Sequence, residues 1–307
     1  MNDTIAFVAG ATGNQGGATA RELLHAGIKV HALVRNPLSK SALDLQRLGV
    51  QLFPGDFDDL LSLKAAVEGV TAVFVNVSPI MVDTGREVIH AKNIIDTALA
   101  SGTVTTIVYS SVTMTGKHES FPNWGPSYPQ AWYWQNKAQI ESMVRESGIK
   151  YWTILRPAFL MHNYHQPVAS FMFPELVQNR TFLTAYKPST AMTVLDPRDV
   201  GKFAAAAIAE PGAFNGHEVD LGVESLTAAE IVKELSRVSG KDIALQFYDE
   251  KEAKELAVRN PIIHAQLWAN EVGYQVDFKG LQKYPIRLTR FSEYLEKHRD
   301  EVLQTFK

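Results

Sequence analysis

The chain has 307 residues, 46% of them apolar and 21% charged, the proportions of a globular protein and not of a disordered one. With 30 Lys and Arg against 33 Asp and Glu, a net charge of −3 and no long run of either sign, no surface dedicated to nucleic acid is expected. Cysteine is absent, which excludes disulfides, thiolate zinc sites and a cysteine nucleophile.

Met1-Asn2-Asp3-Thr4 places no basic region before the first apolar run, Ile5 to Ala9, which is too short for a signal segment. No apolar run approaches the roughly 18 residues of a membrane span, so the expectation is a soluble, cytoplasmic protein. Thr4–Ala9, Lys29–Val34, Val50–Phe53, Ala72–Val75, Thr105–Tyr109 and Tyr151–Leu155 are short runs rich in β-branched or aromatic residues and read as strands. Between them Asn14–Ala26, Leu60–Val67, Gly85–Ala100 and Pro129–Ser147 carry apolar residues at helical spacing. Gly27, Gly69, Gly102 and Gly148 stand where C-terminal glycines belong. The alternation predicts an α/β fold, a doubly wound parallel sheet with helices on both faces.

After Arg156-Pro157 the rhythm changes. Pro157, Pro167, Pro174, Pro188 and Pro197 punctuate weaker periodicity, read as loops, short helices and a small hairpin around Thr181–Val194. Thr227-x-x-Glu230 is a capping box before Ile231, Leu235 and Val238, and Thr289–Phe306 reads as a polar helix. The expected domains are 1–156 and a smaller α/β lobe, 157–307, with a soft boundary and interleaved segments.

Gly10-Ala11-Thr12-Gly13-Asn14-Gln15-Gly16 lies directly after the first strand and opens the first helix. Its spacing is G-x-x-G-x-x-G, not the G-x-G-x-x-G of the standard dinucleotide fingerprint. Glycines here permit a sharp turn, let the backbone approach a pyrophosphate and let the helix pack on the strand, while the helix N-terminus offers unpaired N–H groups to an anion. A tight turn without ligand is the plainer reading. The position of the triplet, at the first strand–helix turn of an alternating pattern, favours the dinucleotide.

Further segments keep company with this loop: Leu33-Val34-Arg35, Gly55-Asp56-Phe57-Asp58-Asp59, Tyr109-Ser110-Ser111, Lys137 with Glu141, Gly148-Ile149, Leu155-Arg156-Pro157-Ala158-Phe159 with Asn163, and Asp199-Val200-Gly201. In this order they resemble the NmrA-like branch of the atypical short-chain dehydrogenases/reductases. The resemblance implies a Rossmann-like NAD(P)-binding domain with a smaller C-terminal substrate lobe. It implies cofactor contacts from Gly10, Thr12, Gly13, Asn14, Gln15 and Gly16, from Asp56 and Phe57 at the adenine, and from Asn76, Val77, Lys137, Pro157 and Phe159.

The second strand ends in Arg35, about 20 residues past the glycine loop, where an NAD-specific site places an acid for the ribose 2′-hydroxyl. A guanidinium there forks onto a 2′-phosphate, and Lys40 adds a second charge. A solvated strand-end Arg is the alternative. The acid is missing as well as the base present, which points to NADP(H). Asp56 also reads as the N-cap of the Leu60 helix.

Reducing a carbonyl or conjugated alkene needs a proton donor at the developing oxyanion, and a phenol serves when a cation and a hydroxyl stabilise its anion. Tyr133-x-x-x-Lys137 puts phenol and ammonium on one helix face, and Ser111 follows the fifth strand. Together Ser111, Tyr133 and Lys137 resemble the Ser-Tyr-Lys triad of the wider superfamily, as catalytic residues. Tyr133 between Trp132 and Trp134 also reads as core packing, and Lys137 as a surface residue paired with Glu141 at i,i+4.

Phe121, Trp124, Tyr128, Trp132 and Trp134 crowd the stretch after Ser111, and Pro122, Gly125, Pro126 and Pro129 make its first part a loop. These rings suit a planar, apolar substrate, with Trp124, Trp134, Phe159 and Asn163 as substrate contacts, or they form a packed satellite cluster. His162-x-x-His165 lacks a third ligand, so no metal is expected. His118 is an alternative acid, and the absence of G-x-S-x-G excludes a serine hydrolase of that type. The leading function is an NADPH-dependent oxidoreductase acting on an apolar or aromatic carbonyl, enone or quinone. The alternatives are an NADP(H)-sensing regulator with a protein partner, and a non-redox isomerase or cyclase. The expected partner is a small apolar or aromatic molecule, with a homodimer as an open option and neither nucleic acid nor membrane.

Overall fold

The computed structural model describes residues 4–125 and 127–307; Met1–Asp3 and Pro126 lie outside them. The chain separates into two compact units, one of Met1–Gly116, Ala131–Arg156 and Pro197–Val219, the other of Lys117–Gln130, Pro157–Asp196 and Asp220–Lys307.

In the first unit the strands are β1 (Ile5–Val8), β2 (Lys29–Val34), β3 (Gln51–Pro54), β4 (Ala72–Val75), β5 (Thr106–Ser110) and β6 (Tyr151–Pro157). The helices are α1 (Asn14–His25), α2 (Lys40–Arg47), α3 (Leu60–Val67), α4 (Arg86–Ala100) and α5 (Ala131–Arg145). The sheet runs β3-β2-β1-β4-β5-β6, with strand His217–Leu221 on the edge beside β6. Every pairing from β3 across to β6 is parallel. The chain order reverses between β1 and β4, and in such sheets the crevice at the carboxyl ends of those two strands is where ligands bind.

Burial on both faces explains why the strands are so apolar: Ala-Val-Phe-Val of β4 and Thr-Ile-Val-Tyr-Ser of β5 are buried at every position. Val73, Val75, Ile107 and Ile154 share one core with Leu63 and Ala66 of α3, Ile94 and Ala98 of α4, and Ile140 and Val144 of α5. Helix Pro197–Ala209 returns to this unit late in the sequence. A Cβ on its Gly201 would lie 2.7 Å from the Ala18 carbonyl carbon, so only glycine lets it seat on α1. Arg198 Nε adds a hydrogen bond to Glu22 Oε1 at 2.7 Å.

The second unit holds a three-stranded sheet, Glu224–Thr227, Ala191–Leu195 and Phe159–Leu160, and a two-stranded one, Ala244–Phe247 with Thr181–Thr184. The hairpin expected around Thr181–Val194 does not form. Thr181–Thr184 pairs in parallel with Ala244–Phe247, while Ala191–Leu195 pairs antiparallel with Glu224–Thr227. Side chains from helix Pro261–Glu271 redirect the intervening chain: Ala185 N donates to Gln266 Oε1 at 2.7 Å and Lys187 N to Asn270 Oδ1 at 2.8 Å. The Thr227–Glu230 capping box is present. Thr289–Phe306 is not one polar helix but two, Phe291–Lys297 and Arg299–Thr305, broken at His298 (φ −105°, ψ 28°), and Phe291, Tyr294, Leu295 and Val302 are buried. Among the described residues no helix is long and apolar enough to cross a membrane.

Candidate active site

The loop after β1 is built on contacts that only glycine permits. Gly10 has φ +64°, and a Cβ on it would meet Asn76 O at 3.0 Å. A Cβ on Gly16 would meet Gly10 O at 2.2 Å, inside any tolerable contact. Gly13 is different. Its φ of −95° and ψ of 179° suit any residue, and a Cβ there would find Gly10 O at 3.3 Å as its nearest neighbour. The fold demands glycine at Gly10 and Gly16, whereas at Gly13 a side chain asks Gly10 O to give by only a few tenths of an ångström.

Gly13 is also the N-cap of α1, which carries no side-chain cap and no acid in its first turn. The positive end of the helix dipole therefore has no acid of its own first turn to offset it, which fits a pyrophosphate. Thr12, Gly13 and Asn14 are exposed, and Gln15 is half-buried. Ser110 Oγ donates to Gln15 Oε1 at 2.7 Å, so the end of β5 is tied to this loop. Asn76 and Val77 follow β4, with Asn76 against Gly10 and Val77 buried.

Arg35 is exposed just past β2, and Lys40 is exposed at the start of α2. Asp56 is not the N-cap of α3. That role falls to Asp59, which accepts from Leu61 N and Ser62 N. Asp56 Oδ1 instead closes the preceding turn, accepting from Asp58 N at 2.9 Å and Asp59 N at 3.1 Å. Phe57 is half-buried, its ring edge-on to His90 at 5.6 Å and its carbonyl accepting from Asn93 Nδ2 at 2.8 Å.

Ser111 is buried, its N–H on Leu155 O at 2.8 Å and its Oγ donating to Thr115 Oγ1 at 3.3 Å. Lys137 is 5% exposed and is not a surface partner of Glu141. Its Nζ donates to Glu87 Oε1 of α4 at 2.6 Å, and Glu87 has no exposed surface. The ammonium also lies 5.8 Å from the ring centre of Tyr133 and 5.9 Å from that of Tyr109. Glu141 turns the other way and accepts from Arg156 and Arg145. Tyr133 is half-buried, edge-on to Trp132 and Trp134, and Trp134 is itself buried.

Glu87 and Tyr109 are the neighbours of Lys137 that sequence reasoning missed. Glu87 reads as an ordinary acid in the first turn of α4, and nothing in the sequence pairs it with a lysine 50 residues later. Tyr109 reads as strand core. Its phenol pKa is pushed well above the ordinary range by burial first, then by the Glu87 charge.

In the second unit, Trp124 is half-buried within a ring cluster, 4.8 Å from both His118 and Tyr128, and Phe121 lies 5.8 Å from Trp268. The cluster draws residues from far along the chain, as a packed satellite would. Pro157 is buried at the end of β6. Phe159 stands against Tyr164 at 5.3 Å and, with Met172, Tyr186, Met192 and Gln266, lines a cavity of ≈ 20 Å³, the room of one water. Asn163 is half-buried in the turn Met161–Tyr164. His165 bonds Gln166 O at 2.8 Å and the Tyr294 hydroxyl at 2.6 Å. The Nδ1 of His162 is buried without a partner, and burial lowers its pKa to about 4.

The model of the NmrA-like family matches residues 1–295. The chain belongs to the NmrA-like family. An NmrA-like family domain-containing oxidoreductase of Aspergillus sp. (strain MF297-2), notA, is 40% identical over 154 residues, 48% of this chain and only 43% of that protein. The nitrogen metabolite repression protein nmrA of Emericella nidulans is 27% identical over 276 residues, 88% of this chain and 74% of that one. Among solved structures, the NADPH-dependent quinone oxidoreductase QOR2 of Escherichia coli, complexed with NADPH, matches with a TM-score of 0.72 at 26% identity, covering 96% of this chain and 99% of that one. The fold is thus the Rossmann-like α/β fold of NAD(P)H-binding oxidoreductases, built here on β1 to β6.

Proposed function

We propose that this chain is an NADPH-dependent oxidoreductase that reduces an apolar or aromatic carbonyl, enone or quinone. The observation that carries the reading is the Ser110–Gln15 hydrogen bond, which ties the strand end bearing Ser111 to the glycine loop. A site for a dinucleotide and a site for its chemistry then share one edge of one sheet.

The open start of α1, with Gly13, holds the pyrophosphate. Arg35 and Lys40 are exposed and bear on a 2′-phosphate, and Asp56 and Phe57 lie towards the adenine. Lys137 offers the ribose the ammonium hydrogens that Glu87 leaves unused. When bound, NADPH supplies the hydride. Tyr133 carries the proton for the substrate oxygen, and the Ser111 hydroxyl shares that oxygen. Trp124, Phe159 and Asn163 are proposed as substrate contacts, as is the buried ring of Trp134. The experiment is NADPH oxidation against a panel of quinones and enones, with NADH in parallel.

A second reading, a dinucleotide-binding regulator without catalysis, is favoured by one feature. Glu87 pairs with Lys137 and offsets its positive charge, the one that stands 5.8 Å from the ring centre of Tyr133. The 27% identical regulator of Emericella nidulans is consistent with it. Tight NADPH binding with no turnover on the whole panel selects this second reading.

A further inference from the structure

Glu87 stands at the second position of α4, where the helix dipole favours an anion, and the helix start has no side-chain cap. Its Oε1 accepts from Lys137 Nζ at 2.6 Å, and its Oε2 is buried with no partner. A buried ion pair is a poor device for stability alone, since two apolar residues of the same volume hold helices together as well or better. This corner is fastened in any case one residue away, where Asn136 Nδ2 donates to Thr84 O at 2.5 Å. What the pair fixes is the long stem of Lys137. One of its three ammonium hydrogens is taken by the carboxylate, and the rings of Tyr109 and Tyr133 flank the nitrogen at 5.9 and 5.8 Å. The remaining two hydrogens are therefore held in direction.

We propose that Glu87 is a positioning residue of the dinucleotide site, acting through Lys137 by holding its ammonium for the nicotinamide ribose hydroxyls. The proposal rests on the role given to Lys137 above.

The test measures binding and not turnover. NADPH affinity is followed by its fluorescence. The affinity for adenosine 2′,5′-bisphosphate, which has no nicotinamide ribose, is followed by calorimetry. Both are measured in the unmutated protein, Glu87→Gln, Glu87→Asp, Lys137→Met and the Glu87→Gln/Lys137→Met double variant. Glu87→Gln and Lys137→Met should each weaken NADPH about tenfold, the worth of one charge-assisted hydrogen bond, and leave the bisphosphate within about twofold. Glu87→Asp should recover part of the loss, and the double variant should bind NADPH as Lys137→Met does. Unchanged NADPH affinity in Glu87→Gln, an equal loss of both ligands, or a double variant about tenfold weaker than Lys137→Met overturns the proposal. Should Glu87→Gln fail to fold, Glu87→Asp carries the test: weaker NADPH binding with the bisphosphate unchanged supports the proposal, and unchanged NADPH affinity overturns it. Lys137→Met binding NADPH as the unmutated protein does removes the role of Lys137 itself, and the proposal with it.

Discussion

Glu141 accepts from both Arg156 Nε and Arg156 Nη2, at 2.8 and 2.5 Å, so a guanidinium on β6 forks onto a carboxylate of α5. Glu218 on the edge strand takes the outer side, from Arg156 Nη2 at 2.6 Å and Arg145 Nε at 2.7 Å. Two arginines and two glutamates thus tie a helix to the last two strands of the sheet. Glu141 is 1% exposed, so removing its charge leaves the buried Arg156 guanidinium with the half-exposed Glu218 as its remaining carboxylate partner. Glu141→Gln should cost about 3 kcal/mol, read as a lower urea midpoint at unchanged m-value. NADPH affinity of the folded variant should be unaltered.

Arg35 is exposed and stands where an acid would select NAD. NADPH should bind more tightly than NADH, and Arg35→Ala should remove about 1.5–3 kcal/mol of that difference. Equal affinities in the unmutated protein would sink the NADP assignment and leave the fold assignment standing.

The glycine loop allows a paired experiment. Gly13→Val places a branched side chain in a backbone conformation that accepts it, so the protein should fold and lose dinucleotide binding. Gly16→Ala should fail to fold, because its Cβ would sit 2.2 Å from Gly10 O. Circular dichroism and NADPH fluorescence on the two variants separate the cases. A folded Gly13→Val that binds NADPH normally would reduce the loop to a structural turn.

Tyr133→Phe keeps the ring and deletes the hydroxyl. NADPH affinity should stay within about twofold, while turnover of a quinone or enone should fall by about 10²–10⁴, the range for a positioned acid. Full activity would return Tyr133 to the aromatic packing in which Trp132 and Trp134 already hold it.

The second unit should be sensitive to acid. His162 has a folded-state pKa lowered to about 4 by burial, against 6.5 for the free side chain. Between those values the unfolded chain binds more protons than the folded one, so stability falls as pH drops from 6.5 towards 4 and is fully present above 6.5. The contribution is up to about 3 kcal/mol. Urea midpoints at pH 7.5 and 4.5 should differ less in His162→Leu than in the unmutated protein; equal differences would exclude His162 as the source.

Legibility in the sequence follows from how local the cause is. β4 is four apolar residues buried on both faces, and it reads as a strand without help. α2 escapes notice because only Ala42 and Leu45 of its eight residues are buried, too few for a periodicity. The hairpin around Thr181–Val194 is a reasonable local reading that fails because Gln266, about 80 positions on, captures the Ala185 amide. The glycine loop is visible because three glycines in seven residues answer to one turn. The ion pair of Lys137 is not, because Glu141 occupies the obvious helical partner position and the real partner is 50 residues earlier. Local geometry leaves a mark in the sequence, and long-range choice between two carboxylates does not.

The seating of Gly201 on α1 bears on how the protein is made. Glu22 and Arg198, which meet at the flank of this contact, are 176 residues apart. At about 5–20 residues per second, roughly 10–35 s of translation separate the glycine loop from the helix that braces it. Through that interval the nascent chain carries a glycine loop whose helix has one side uncovered. A ribosome-bound chain stalled at residue 156 should not retain NADPH. One extended until residue 219 clears the exit tunnel should, so the nucleotide reports completion of the sheet edge and not of the N-terminal half.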